Sequence, residues 1–234
     1  MTRVVGLVVL GLLAVGVGVG EALTPSTEHV LLVGDSIMRQ TGPALTRQLG
    51  EEYTVHNEGV NGSGLLTPAV FDWADQLEQD LVRTDPDVVV MLFIGNYTDD
   101  PDELWTTAAG EVVDSVHRPA FAREWGRQVD AAMAAIADSG ARVVLVLPPP
   151  MVTGELQAVV DALRAEYERV AADWDFVTLA DATTAVGGEN GEWVATLPDG
   201  AGIERPVRVP DTVHLAVHGQ RLVAREIATT IRHI

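Results

Sequence analysis

The chain of 234 residues contains no cysteine and no lysine. Without cysteine there is no disulfide, no thiolate nucleophile, no thiolate metal site and no lipoprotein-type anchor. Without lysine there is no Schiff-base amine and no Walker lysine for a nucleotide phosphate. The 15 strongly basic residues are all arginine and face 34 Asp and Glu, for a formal net charge of −19. So acidic a surface repels phosphate backbones, and no nucleic-acid partner is expected. Hydrophobic residues are not scarce: at 47% they suffice for one domain with a full core. A domain of that size is stable without disulfides, so the missing cysteine does not argue against export.

Charge is also missing from the start of the chain. Arg3 is followed by an uncharged, Gly-rich apolar run from Val4 to Gly20. Gly20 and Ala22 then place small residues where signal peptidases cut. Residues 1–22 read as a signal peptide, with an uncleaved membrane anchor as the alternative. The run is slightly short for a spanning helix, which needs about 20 residues. Either reading makes the rest extracytoplasmic: secreted, or held on the outer face of the cytoplasmic membrane. A linker, 23–28, leads to a single domain, 29–234.

In that domain strand and helix signals alternate. "HVLLV", "YTVHN", "DVVVMLFIG", "ARVVLVL" and "DFVTLAD" read as five strands. Between them lie helical patterns such as "FDWADQLEQDLVR", with Trp73, Leu77 and Leu81 four apart. The middle strands are apolar without alternation, as when both faces are covered. This predicts a three-layer α/β/α sandwich around a five-stranded parallel sheet, a flavodoxin-like architecture. Residues 182–210 are rich in Gly and Pro and read as irregular, with a hairpin near Trp193. A last helix is expected from Val217 to Ile231.

Ligands of open parallel sheets sit at the carboxyl ends of the strands. After the first strand comes Gly34-Asp35-Ser36, after the second "NEGVNG" with Gly62, after the third "IGNY" with Asn96. "PDTVH", with Asp211 and His214, precedes the last helix. Together these hold the parts of acyl transfer: a hydroxyl, an imidazole, a carboxylate to orient it, and donors for an oxyanion. Taken singly each has a plainer reading, since Asp and Ser are common helix caps and Gly and Asn are turn residues.

The four blocks in this order resemble the SGNH hydrolases, also called GDSL-type esterases. The likeness covers the chain after residue 28. It implies Ser36 as nucleophile, His214 as base and Asp211 as its partner. It also implies an oxyanion hole made of Ser36 N–H, Gly62 N–H and the Asn96 amide. No cofactor and no metal are implied. Two positions depart from the family pattern in the third block: Ile94 stands for a Gly and Tyr97 for an Asp. The Tyr97 change is expected to reshape the acyl pocket. The wording around Ser36 and His214 is also similar to SGNH domains associated with bacterial acyltransferases that act on cell-surface glycans.

The resemblance thus implies an exported serine esterase for a small acyl ester, acetyl by preference, on a carbohydrate. Two alternatives stay open: an O-acyltransferase to a cell-surface glycan, and a non-catalytic SGNH binding module. The partner is then a small acyl ester or an acylated glycan. Outside the blocks, His56 lies near the end of the second strand and could approach the site. His214 and His218 are four apart but lack the H-E-x-x-H pattern of a metal helix. Asp99 and Asp100 read as a solvated loop. Trp105, Trp125 and Trp193 are candidates for packing or for stacking on a sugar.

Overall fold

The structure is a computed structural model describing residues 27–97, 104–114 and 119–234. The export segment at 1–22, most of the linker, Asp99, Asp100 and His117 lie outside the described residues.

The elements follow in the order β1 (Glu28–Gly34), α1 (Ser36–Leu49), β2 (Tyr53–Asn57), α2 (Trp73–Thr84) and β3 (Val88–Leu92). Next come a short ribbon, β4 (Trp105–Thr106) with β5 (Val112–Val113), then α3 (Pro119–Ala137) and β6 (Arg142–Leu147). The chain continues through α4 (Gly154–Asp173), β7 (Val177–Asp181) and α5 (Ala182–Val186). A hairpin of β8 (Thr196–Pro198) and β9 (Glu204–Pro206) precedes α6 (Val217–Ile231). The five long strands form one parallel sheet in the order β2-β1-β3-β6-β7. The expected five-stranded α/β/α sandwich is borne out.

The apolar strands lack alternation because alternate residues enter two different cores. Leu31, Val33, Val89 and Met91 face α2, α3 and α4, packing on Leu77, Trp125 and Leu163. Val30, Leu32, Val88 and Val90 face α1 and α6, packing on Leu45, Val223 and Ile227. Full burial of such a side chain is worth about 1.5–3 kcal/mol.

α1 tolerates Pro43 because the carbonyl that its missing N–H would have served, on Arg39, accepts from Asn57 Nδ2 at 3.0 Å. After β2 the chain stays beside β1: Glu58 N donates to Leu32 O at 2.9 Å and Val60 N to Gly34 O at 2.8 Å. Residues 61–64 are thereby delivered to the rim where β1 ends.

Candidate active site

β1 ends at Gly34 and the chain turns at once into α1. Asp35 caps that helix, its Oδ1 accepting from Ile37 N at 2.9 Å. Ser36 is the first helical residue, in the positive field of the helix N-terminus. Its Oγ lies 2.8 Å from His214 Nε2, and His214 Nδ1 lies 2.7 Å from Asp211 Oδ2. An ionised carboxylate only accepts, so Nδ1 carries the proton and Nε2 is left to accept from the serine hydroxyl.

The turn bearing Asp211 and His214 is held by its own carboxylate. Asp211 Oδ1 accepts from His214 N at 2.9 Å and from Val213 N at 3.0 Å. The His214 backbone N–H is the main cause that holds the Asp211 carboxyl below the usual carboxylate range. Between them Thr212 has φ 68°, in the left-handed region. The Trp193 indole N–H donates to Thr212 O at 2.9 Å and steadies that peptide. This edge stays wet: the side chains of His214 and Asp211 are 30% and 49% exposed.

Asp35 is in the opposite condition, with no exposed surface. Its Oδ2 accepts from Ile94 N at 2.7 Å and faces Asn96 Nδ2 at 3.4 Å. Burial pushes its carboxyl up to about 6, against the pull of the Ile94 and Ile37 N–H groups and of nearby His214. One carboxylate therefore ties the helix that carries Ser36 to the rim of β3. In the sequence Asp35 reads only as a cap, because nothing local marks a partner 59 residues away.

Asn96 Nδ2 donates to Ser63 O at 3.1 Å. Its contact with Asp35 is long for a hydrogen bond, so that second proton is the one an oxyanion could take. Gly62 has φ 71° with nothing near a would-be Cβ, so backbone conformation alone calls for glycine there. Among the described residues, neither Ser36 N nor Gly62 N donates to a protein group. Gly64, unmarked by sequence reasoning, is needed for close approach: a Cβ there would stand 2.1 Å from Asn96 O.

The Tyr97 side chain is committed to the β4–β5 ribbon. Its hydroxyl donates to Val113 O and accepts from Trp105 N at 2.8 Å, so the phenol anchors the β4–β5 ribbon. Trp125 is core, its indole N–H 3.2 Å from Tyr167 Oη, and Trp105 donates to Glu124 at 2.8 Å. Trp193 adjoins the candidate site through its bond to Thr212 O. His56 packs beside His29, with ring centroids 5.8 Å apart, not beside Ser36. Among the described residues, no group of three or more His, Asp or Glu could hold a metal ion.

Arg208 is a residue the sequence did not mark. It is buried, and among the described residues its side chain makes one hydrogen bond, from Nη2 to Pro150 O at 3.0 Å. Burial pulls its guanidinium down to about 10, which leaves it charged at neutral pH.

The strand order and the blocks at the strand ends define the fold of the SGNH, or GDSL-type, hydrolases. A lipolytic protein of the G-D-S-L family from Veillonella parvula DSM 2008 superposes with TM-score 0.60 at 14% identity, over 88% of this chain and 100% of that one. The C-terminal catalytic domain of Streptococcus pneumoniae peptidoglycan O-acetyltransferase A, as a methylsulfonyl adduct, gives 0.54 at 17%, over 88% and 94%. A serine-to-alanine mutant of an acetyl esterase, with an acetate ion, gives 0.57 at 16%, over 88% and 97%. By sequence the chain belongs to the family described as Protein of unknown function (DUF459), whose model matches residues 29–230. A comparison with curated proteins finds no match.

Proposed function

We propose that this protein is an exported serine esterase that hydrolyses a small acyl ester, acetyl by preference, on a carbohydrate. The observation that carries the reading is the relay from Ser36 Oγ to His214 Nε2 at 2.8 Å and from His214 Nδ1 to Asp211 at 2.7 Å. His214 takes the Ser36 proton as the oxygen attacks the ester carbonyl. The tetrahedral oxyanion is received by Ser36 N–H, Gly62 N–H and the loosely held proton of Asn96 Nδ2. His214 then gives its proton to the leaving alcohol. Water, deprotonated by His214, attacks the acyl-enzyme and releases the acid.

Export rests on Arg3, the apolar run to Gly20 and the small residues at 20 and 22. The test is Ser36→Ala on an aryl acetate, with fluorophosphonate labelling of the wild type. A fall in kcat of about 10⁴-fold or more, and a label on Ser36, are expected. Wild-type turnover in the variant would end the proposal. For export, the protein recovered from the medium or cell surface should begin at Leu23 if cut.

A further inference from the structure

A groove of about 510 Å3 lies between the start of α4 and the turn before β8. Its walls are Met151, Val152 and Thr153 on one side and Asn190, Glu192 and Trp193 on the other. It falls within the roughly 300–1,000 Å3 range of small-molecule sites. A second cavity, about 410 Å3 and apolar, lies between α2 and α3; neither it nor the groove is lined by Ser36, Asn96 or His214, so what separates them is the bond from Trp193 to Thr212 O.

Both walls are braced. Trp193 is fixed by its indole N–H to Thr212 O, inside the turn that carries Asp211 and His214. A bridge between Gly187 and Trp193 closes the loop behind it. The facing wall is held by Arg208 Nη2 on Pro150 O and by Met151 N on Gln157 Oε1 at 2.7 Å. The indole is partly exposed, and so are the residues facing it except Met151.

The side on which this groove lies follows from the proton path. The leaving oxygen takes its proton from His214 Nε2, so the alcohol departs on the His214 side of Ser36. The proposed oxyanion donors lie on the rims of β1, β2 and β3, at Ser36, Gly62 and Asn96. Two further hollows lie beside α3 and between β9 and α6, the latter lined by Ala216 and Val217; the groove walled by Trp193 is the one bonded to Thr212, inside the turn itself.

We infer that this groove binds the alcohol part of the substrate, and that this alcohol is an uncharged sugar. An indole held by its edge offers its face to the C–H face of a pyranose. Asn190 supplies amide donors, and Glu192, whose Oε2 accepts from Asn190 N at 2.9 Å, has Oε1 left for a ring hydroxyl. Glu192 in the wall and the net charge of −19 disfavour a sugar acid. The inference rests on the esterase reading above.

The experiment compares kcat/KM for a mono-O-acetylated methyl glucoside with kcat/KM for phenyl acetate. Both form the same acetyl-enzyme and differ only in the leaving group. The sugar-to-phenyl ratio should fall at least tenfold in Trp193→Ala and in Val152→Trp, which fills the groove from an exposed position. Trp193→Phe, which keeps a ring, should retain most of the ratio. Should Trp193→Ala not fold, Val152→Trp decides. Ratios within twofold of wild type in both variants, with phenyl acetate turnover still dependent on Ser36, would overturn the groove and leave the esterase standing. A preference for the matching glucuronide acetate would overturn the uncharged sugar. No turnover of either ester by the wild type would overturn both readings.

Discussion

The two aspartates that flank the Ser36–His214 pair differ in every physical respect. Asp35 is sealed, spends its oxygens on backbone N–H groups of two elements, and has its carboxyl pushed up to about 6. Asp211 is half exposed, spends its oxygens on one short turn and its own histidine, and is held below the usual carboxylate range. The buried corner fixes where Ser36 and Asn96 stand relative to each other. The open turn fixes which proton His214 carries. In the proposed mechanism, this division would keep the proton relay in contact with water while the side meant for the oxyanion stays rigid.

The contrast predicts that damage at the two sites appears in different measurements. Asp211→Asn leaves the fold intact but presents a donor where His214 Nδ1–H needs an acceptor, favouring the wrong tautomer. A fall in kcat of about 10³-fold is expected, with Tm almost unmoved; a buried triad aspartate costs nearer ~10⁴-fold. A kcat within tenfold of wild type would show that water replaces the carboxylate. Asp35→Ala should do the reverse in kind. It strands the N–H groups of Ile37 and Ile94, each at about 1–3 kcal/mol, partly offset by removing a buried charge. A loss of roughly 2–4 kcal/mol in urea unfolding at neutral pH is expected. Unchanged stability would mean that the corner does not depend on this carboxylate.

pH separates the pair further. A folded-state carboxyl raised from 3.8 to about 6 adds stability that is full below 3.8 and is lost as pH rises through about 6. The lowered Asp211 works in the opposite sense: its contribution is present above 3.8 and is lost as pH falls. The advantage of wild type over Asp35→Asn should therefore grow as pH falls from 7 to 4, by roughly 2 kcal/mol, most of what a shift of about two units supplies. Groups common to both proteins cancel in that difference. Urea unfolding at four pH values checks it, and a flat difference would show that Asp35 does not titrate in this window.

Much of this was legible in the chain and part was not, for a physical reason. The strands announced themselves because Leu31 and Leu32 each enter a different core, which erases alternation. Helix α6 was readable at about its observed bounds, Val217 to Ile231. The β4–β5 ribbon is two residues a side and owes its place to the Tyr97 hydroxyl, which no propensity encodes. Asp35, Gly64 and Arg208 matter through partners 59, 32 and 58 residues away, and local pattern carries no trace of these. Sequence supplied the residue types of the candidate site, while the struts behind them became visible only in three dimensions.

The smallest expected effect tests what kind of burden each region carries. The buried corner carries charge; the open turn carries backbone strain. Thr212 is β-branched and stands at φ 68°, where a non-glycine residue costs about 1–2 kcal/mol. Thr212→Gly removes that strain but lets the unfolded chain gain entropy, so a net gain of about 0.5–1 kcal/mol is expected. In a domain of this size that raises Tm by roughly 1–3 °C. The turn should keep its shape, because Asp211 Oδ1 still receives Val213 N and His214 N and Trp193 still holds the 212 carbonyl. Activity on phenyl acetate should then stay within about threefold of wild type, since roughly 0.6 kcal/mol corresponds to that factor. A fall in Tm would mean that the threonine side chain stabilises the turn. A large loss of activity at unchanged Tm would mean that the strain itself aims His214 at Ser36.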